Sequence, residues 1–299
     1  MKCDPKSCDT CDKKGKEKQS REEVIQCKLV RVKHKLLVMS GKGGVGKSSV
    51  ATYLALALAQ KGYQVGLLDV DLHGPSVPKM LGIRGVLDIT PDQQILPHQY
   101  RTNLKVVSIE SMLEDVDSAV IWRGPLKHGV IQQFLADCKW DDLDFLVIDA
   151  PPGTGDEPLS VAKLIPEAKA IIVTTPQEVA LRDVRKSINF CRKVNLEMAG
   201  LVENMAGLYC PHCEKFIPIF GAGGGKRTSD LMDIPFLGSL PFDPTVVEGG
   251  DMGRPVIEDS GDSPFKTAVH AFAEAVLQSL VGSEKNAETP VQVEGQTVH

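Results

Sequence analysis

The stretch Gly41-Lys-Gly-Gly-Val-Gly-Lys-Ser48 satisfies the spacing G-x-x-x-x-G-K-S/T between an aliphatic run, Leu36–Met39, and a helical one ending at Lys61. Residue types at this spacing suit phosphate chemistry. Glycines let backbone N–H groups curl around phosphate oxygens, and the following helix N-terminus adds partial positive charge. Lys47 can reach the β- and γ-phosphates, and the Ser48 hydroxyl can ligate Mg²⁺. Lys42, just after the first glycine, reads either as a solvated loop charge or as a second cation near the nucleotide, donated to a neighbouring subunit.

Carboxylates follow two further aliphatic runs. Val65-Gly-Leu-Leu-Asp-Val-Asp71 ends on Asp69 and Asp71, and Phe145-Leu-Val-Ile-Asp149 ends on Asp149. Carboxylates at the C-terminal ends of parallel strands face the ligand crevice. Asp69 and Asp149 are the expected Mg²⁺ holders with Ser48, and one of Asp69 and Asp71 is expected to orient the attacking water. Any one of them alone would read as a turn or helix cap. Pro151-Pro-Gly-Thr-Gly-Asp-Glu157 is expected to form a loop whose shape changes on hydrolysis.

The chain has eight cysteines, at 3, 8, 11, 27, 138, 191, 210 and 213. Clustered cysteines in a reducing compartment point to metal or redox chemistry rather than disulfides. Cys210-Pro-His-Cys213 supplies two thiolates, which cannot close a four-coordinate site. A twofold dimer presents the same patch twice and so offers four, suited to Zn²⁺ or an iron–sulfur cluster. A purely structural knuckle, built with Tyr209 and Phe216, is the alternative. Cys3, Cys8 and Cys11, with Cys27 as the nearest fourth, are read as a second cluster site, with zinc or free thiols as alternatives. Cys27 could equally be an apolar contact, and core packing is expected for Cys138 and Cys191.

Elements that must position these groups alternate along the chain. Strands are expected at Leu36–Met39, Val65–Leu68, Val106–Ile109, Phe145–Ile148, Ala170–Val173, Ala199–Val202 and Phe236–Leu240. Helices are expected at Lys47–Lys61, Leu126–Asp137, Ala180–Lys193, Lys226–Met232 and Pro264–Val281, the last ended by Gly282. The pattern predicts an α/β fold: a doubly wound, mostly parallel sheet with helices on both faces. Residues 1–34 read as a flexible, cysteine-containing head with one short helix around Glu22 to Lys28, residues 35–282 as the nucleotide domain, and 283–299 as a disordered tail.

Of the net charge of −5, residues 1–35 hold 11 Lys/Arg against 6 Asp/Glu, so the remainder carries −10. That acidic body argues against nucleic acid as a partner. No stretch of 18 apolar residues is present and Met1–Lys18 lacks an apolar signal core, so neither a membrane span nor export is expected, and the expected compartment is the cytoplasm.

The phosphate loop resembles the deviant Walker A of the MinD/ParA/nitrogenase-iron-protein class. Trp122-Arg-Gly-Pro125, Asp149-Ala-Pro-Pro-Gly-Thr-Gly-Asp-Glu157, Asn204-Met-Ala-Gly207 with Cys210-Pro-His-Cys213, Phe220-Gly-Ala-Gly-Gly224 and Gly250-Asp-Met-Gly-Arg-Pro255 narrow it. Together, from about Lys35 to Val281, they resemble the Mrp/ApbC family of iron–sulfur cluster carriers. The resemblance implies an ATP-hydrolysing homodimer that holds a [4Fe-4S] cluster and passes it to apoproteins. It implies ATP contacts from Gly41, Lys42, Gly43, Gly44, Val45, Gly46, Lys47, Ser48 and Ser49, and adenine contacts from Asn204, Pro241 and Asp243. Lys42 would act across the dimer, and Asp71 would stand near the hydrolytic water. One branch of the family carries an N-terminal four-cysteine cluster, at a spacing different from this one.

Two other classes compete. A MinD-like positioning ATPase should end in a cationic amphipathic helix, yet Lys266 is the only fixed cation in Pro264–Val281; a ParA-like one should show a basic face. Neither uses Cys210 and Cys213. A cluster-containing, ATP-dependent reductase would bridge a dimer too, but the close Cys-x-x-Cys spacing fits it poorly.

Overall fold

In a computed structural model, residues 20–71, 74–112 and 124–287 are described, without the side chains of 124–127 and 282–287. In chain order the elements are α1 (Arg21–Leu29), β1 (Val32–Ser40), α2 (Lys47–Gln60), β2 (Val65–Asp69), α3 (Val77–Met80), β3 (His98–Arg101), β4 (Leu104–Ser108), α4 (Gly124–Asp137), β5 (Leu143–Asp149) and α5 (Asp156–Leu164). Then come β6 (Lys169–Thr174), α6 (Glu178–Lys193), β7 (Glu197–Glu203), β8 (Leu208–Tyr209), β9 (Phe216–Ile217), α7 (Gly224–Leu231), β10 (Phe236–Ser239), α8 (Pro244–Met252) and α9 (Pro264–Ala287).

Eight strands form one sheet in the order β10-β7-β6-β1-β5-β2-β4-β3, parallel throughout except for β3 on β4. The central strands are buried on both faces, which is why they read as continuous aliphatic runs rather than alternating ones. One core gathers Ile25, Phe134, Ile148 and Ile188 under α1, α4 and α6; the other gathers Leu54, Val147 and Phe272 under α2 and α9. Cys138 and Cys191 are fully buried in the first, as expected of core residues. This is the doubly wound architecture the alternation predicts.

Three expectations change. First, the segment before Lys35 is not all head. Ser20 caps α1 in a capping box with Glu23, Ile25 and Leu29 are buried against α4, and Arg21 pairs with Asp137 at 2.6 Å. β1 then starts at Val32 and pairs with β5 from that residue. The apolar positions in this stretch are few, so the surrounding charges mask them. Second, α9 runs on to Ala287 through Gly282, so the expected tail begins later; a helix-interior glycine costs only about 1 kcal/mol relative to alanine and does not by itself stop a helix. Third, Asp156 and Glu157 open α5 rather than lying in the preceding loop. Cys3, Cys8 and Cys11, Trp122 and Arg123, and residues 288–299 lie outside the described residues.

If α1 belongs to the domain, Ile25→Ala costs about 2–5 kcal/mol of stability, the usual range for emptying a buried aliphatic site. Urea denaturation of the full chain reads this as a lowered midpoint; an unchanged midpoint would return α1 to the head.

Candidate functional site

Parallel pairing sets the site. β2 and β5 lie side by side with Asp69 opposite Asp149, and β1 pairs Val38 with Asp149 on the other flank. The C-terminal ends of these three strands therefore meet where β1 turns into the glycine loop and α2. Val70 N–H to Asp149 O, Ala150 N–H to Val38 O and Gly153 N–H to Ser40 O, the last at 2.8 Å, tie the three strand ends together.

Gly44 and Gly46 both adopt φ 78°, a left-handed conformation that favours glycine. Gly46 precedes α2 with no side-chain cap, so the first N–H groups of that helix face the loop. A Cβ at Gly46 would stand 2.3 Å from the Asn204 amide nitrogen, and one at Gly41 would stand 2.5 Å from the backbone of Asp183 on α6. Gly43 and Gly44 are exposed, Val45 is buried, and Lys42, Ser48 and Ser49 are half-buried. The loop is thus gripped from behind and open in front.

Lys47 is 6 % exposed, and its ammonium lies 2.5 Å from Asp149 Oδ1 and 3.3 Å from Asp71 Oδ2. Burial alone would lower its pKa, but the charges of Asp149, Asp71 and Asp69 hold it above the ordinary lysine value. Asp149 is itself pushed up by burial, against the pull of Lys47 and Ser48. Asp69 is raised to about 8 by burial and by the Asp149 charge.

The two expected magnesium holders differ. Asp69 takes hydrogen bonds from Asp71 N–H at 3.1 Å, Ser108 Oγ at 3.0 Å and Val77 N–H at 3.4 Å, so it braces the strand end against β4 and α3. Asp149 Oδ2 is buried with no hydrogen-bond partner. A carboxylate oxygen left open beside the Ser48 hydroxyl is the hard donor set that Mg²⁺ takes, so the residues fit that ion at Ser48 and Asp149 better than at Asp69. Ser108 carries no motif and was invisible to sequence reading.

A cleft lies beside the loop, lined by Ser49, Tyr53, Asn204, Pro241, Asp243 and Phe265 among others. It brings together all three residues that the resemblance assigns to the adenine. Two have further duties. Asn204 donates from Nδ2 to Val45 O at 2.9 Å, and Asp243 Oδ1 caps α8 by accepting from Thr245 N–H at 2.9 Å and Thr245 Oγ1 at 2.7 Å.

Just past Asn204 the chain makes the β8–β9 hairpin, with Cys210-Pro-His-Cys-Glu-Lys215 as its tip. Cys210 N–H bonds to Lys215 O at 2.9 Å and Glu214 N–H to Cys210 O at 2.8 Å, with Glu214 at φ 57°. The N–H groups of His212 and Cys213 and the Cys213 thiol point at the Cys210 sulfur and draw its pKa below the ordinary thiol value. Such a sulfur-centred turn favours the thiolate that metals bind. Cys210 is half-buried and Cys213 exposed. Tyr209 and Phe216 meet edge-to-face at 5.3 Å, and with Ile217, Ile219 and Phe220 they leave an exposed apolar surface around the two sulfurs. Among the described residues no group of three or more His, Cys, Asp or Glu gathers as a metal site. Cys27 is half-buried on α1, on an element separate from this hairpin.

A glycine loop between a parallel strand and a helix, a buried lysine on it, and an aspartate at the neighbouring strand end define a P-loop nucleotide-binding protein. Residues 31–277 match the ParA family model described as "NUBPL iron-transfer P-loop NTPase", and the chain belongs to that family. It is 46% identical over 261 residues to an iron-sulfur cluster carrier protein of Saccharolobus solfataricus, covering 87% of this chain and 88% of that one. To a cytosolic Fe-S cluster assembly factor of Rattus norvegicus it is 43% identical over 257 residues, covering 84% and 95%. Among solved structures, a nucleotide-binding protein of Archaeoglobus fulgidus in complex with ADP superposes with a TM-score of 0.70 at 35% identity, over 82% of this chain and 96% of that one. The cell division ATPase MinD of Pyrococcus furiosus superposes at 0.59 and 25% identity, over 82% and 99%.

Gly46→Ala places a methyl on Asn204 and strains a left-handed residue. It should weaken nucleotide binding about tenfold or more at a folding cost of about 1–3 kcal/mol, read by calorimetric titration and thermal melting. Unaltered affinity would mean that this part of the loop does not meet the nucleotide.

Proposed function

We propose that the chain is an ATP-dependent carrier whose cargo is an iron–sulfur cluster, held between two copies and passed to apoproteins. The observation that carries this reading is the short path from nucleotide loop to sulfur: Asn204 hydrogen-bonds the loop at Val45, and Cys210 lies six residues further along the chain. Relatives named as cluster carriers and assembly factors support the cargo, and an ADP-bound neighbour supports the nucleotide. Two thiolates per chain and an exposed apolar collar around them support a paired interface, since a large exposed apolar surface marks a binding face. The cluster is [4Fe-4S] in this reading, with four thiolates from Cys210 and Cys213 of both copies.

ATP lies along the loop from Gly41 to Ser49, with its base in the cleft of Asn204, Pro241 and Asp243. Lys47 exchanges its carboxylate partners for the β- and γ-phosphates. Ser48 and Asp149 hold Mg²⁺, which neutralises phosphate charge when bound. Asp71, beside Lys47 at the rim, orients the hydrolytic water, and Lys42 reaches the nucleotide of the partner copy. The loop from Pro151 to Gly155, tied to Ser40 through Gly153, senses the γ-phosphate. The cytoplasm is the proposed compartment; among the described residues no helix is long and apolar enough to cross a membrane. Cys3, Cys8, Cys11 and Cys27 are kept as a proposed second cluster site.

Two experiments test this. Cys210→Ser or Cys213→Ser, purified without oxygen, should lose the iron and sulfide of the shared site while keeping ATP affinity within about twofold. A full iron and sulfide complement at that site would refute the ligand set, and a Cys3→Ser, Cys8→Ser, Cys11→Ser background isolates the site. Lys47→Ala should bind ATP about tenfold or more weakly and transfer its cluster to an apo-acceptor at a rate that no longer responds to ATP. A response equal to wild type would remove the coupling.

A further inference from the structure

Glu203 ends β7 directly before Asn204, and its carboxylate is 1 % exposed. A buried carboxylate is costly unless its oxygens are bonded. Here Oε2 accepts from Gly225 N–H at 2.5 Å and Oε1 from Ser239 Oγ at 3.5 Å. Gly225 is in the first turn of α7, whose own N-cap residue, Gly223, has φ 67° and no side chain to cap with. Glu203 therefore supplies from another element the acceptor that the helix start lacks. A Cβ at Gly225 would stand 2.8 Å from the Glu203 Cβ, so glycine lets the helix close onto the strand.

The place of this contact matters more than its strength. The segment carrying both cysteines leaves the sheet at Met205 and returns to it at α7. Its outgoing foot is Asn204, fixed to the nucleotide loop through Val45 O at 2.9 Å. Its returning foot is Gly225, fixed to Glu203. One dipeptide thus holds both feet. The outgoing limb is tied again just past Asn204, through Ala206 N–H to Leu240 O at 3.0 Å and Phe242 N–H to Gly207 O at 2.7 Å, on the strand end leading into the cleft. With both feet fixed, a shift of the nucleotide loop moves the hairpin as a body. With one released, the same shift dissipates in the glycine-rich return from Gly221 to Gly224.

We infer that Glu203 is a positioning residue that transmits nucleotide state to the cysteine hairpin by clamping its returning limb. This rests on the carrier reading above.

The test uses the full chain, reduced and cluster-free, and reads the rate at which Cys213 is labelled by a maleimide, followed by mass spectrometry with and without Mg-ATP. In wild type, ATP should change that rate about fivefold or more, the low end of ordinary coupling. Glu203→Gln, which keeps the shape but weakens the acceptor, should keep ATP affinity within about twofold while its rate ratio falls at least halfway towards one. Glu203→Asp keeps the charge but withdraws the acceptor from Gly225 N–H, so it should lower the ratio in the same direction and decides the matter should Glu203→Gln fail to fold. A ratio equal to wild type in the folded variant overturns the role of Glu203 and leaves the carrier reading standing. A wild-type ratio of one overturns both.

Discussion

A lysine sunk into the C-terminal edge of a parallel sheet must be compensated, and that requirement organises the molecule. Lys47 sits on the first turn of α2 and finds Asp149 and Asp71 at the ends of β5 and β2. Those carboxylates reach it only if β1, β5 and β2 are adjacent, parallel and in the observed register. Removing one partner of a buried pair costs about 3–5 kcal/mol, far more than a surface ion pair is worth, so the fold is held to this arrangement. Burial raises Asp69 and Asp149, and the excess of carboxylates over ammonium adds to it. A cluster in that condition favours incoming positive charge, which is the physical reason a divalent cation suits it.

Much of this was legible because it rests on local chemistry. The glycine loop must have glycines where φ is positive, and Gly44 and Gly46 are such positions. Strands buried on both faces must be aliphatic throughout, so β1, β2, β5, β6 and β7 stood out. What escaped was what long-range contact decides. His98–Arg101 carries no alternation, and becomes strand only as the antiparallel edge beside β4. α1 has few apolar residues, yet Ile25 is wholly buried because α4 covers it. Sequence also placed Asp69 and Asp149 on equal terms as metal holders. Only Ser108, Val77 and Asp71 meeting Asp69 separate them, and no spacing rule anticipates a partner 39 residues away.

The two halves of the site are built on opposite principles. Around Lys47 the charges are buried and set against one another, so the chemistry is sheltered. Around Cys210 the thiolate is favoured by backbone N–H groups rather than by burial, and the sulfur stays within reach. A resident cofactor would be better served by the first design. A cargo that must arrive and leave is better served by the second, where Cys213 and the aromatic and aliphatic residues of the hairpin are exposed.

These halves must nevertheless share free energy for ATP to direct the cargo, and a coupling of a few kcal/mol is all that such linkage needs. The route is short and made of stiff parts. Gly46 cannot move far without meeting Asn204, Asn204 N–H is held by Thr174 O at 2.7 Å at the end of β6, and Leu240 N–H returns to Glu203 O at 2.8 Å. Each is a backbone or buried contact, and close-packed contacts transmit displacement rather than absorb it. Glycines flank the hairpin on either side, Gly207 before it and Gly221, Gly223 and Gly224 after it. At Gly207 a side chain is barred, since its Cβ would lie 2.2 Å from the Phe216 ring. That ring belongs to the same apolar collar that surrounds the sulfurs. The hairpin therefore packs part of its exposed apolar face directly against Gly207, so a change in the backbone there could not leave that face unchanged.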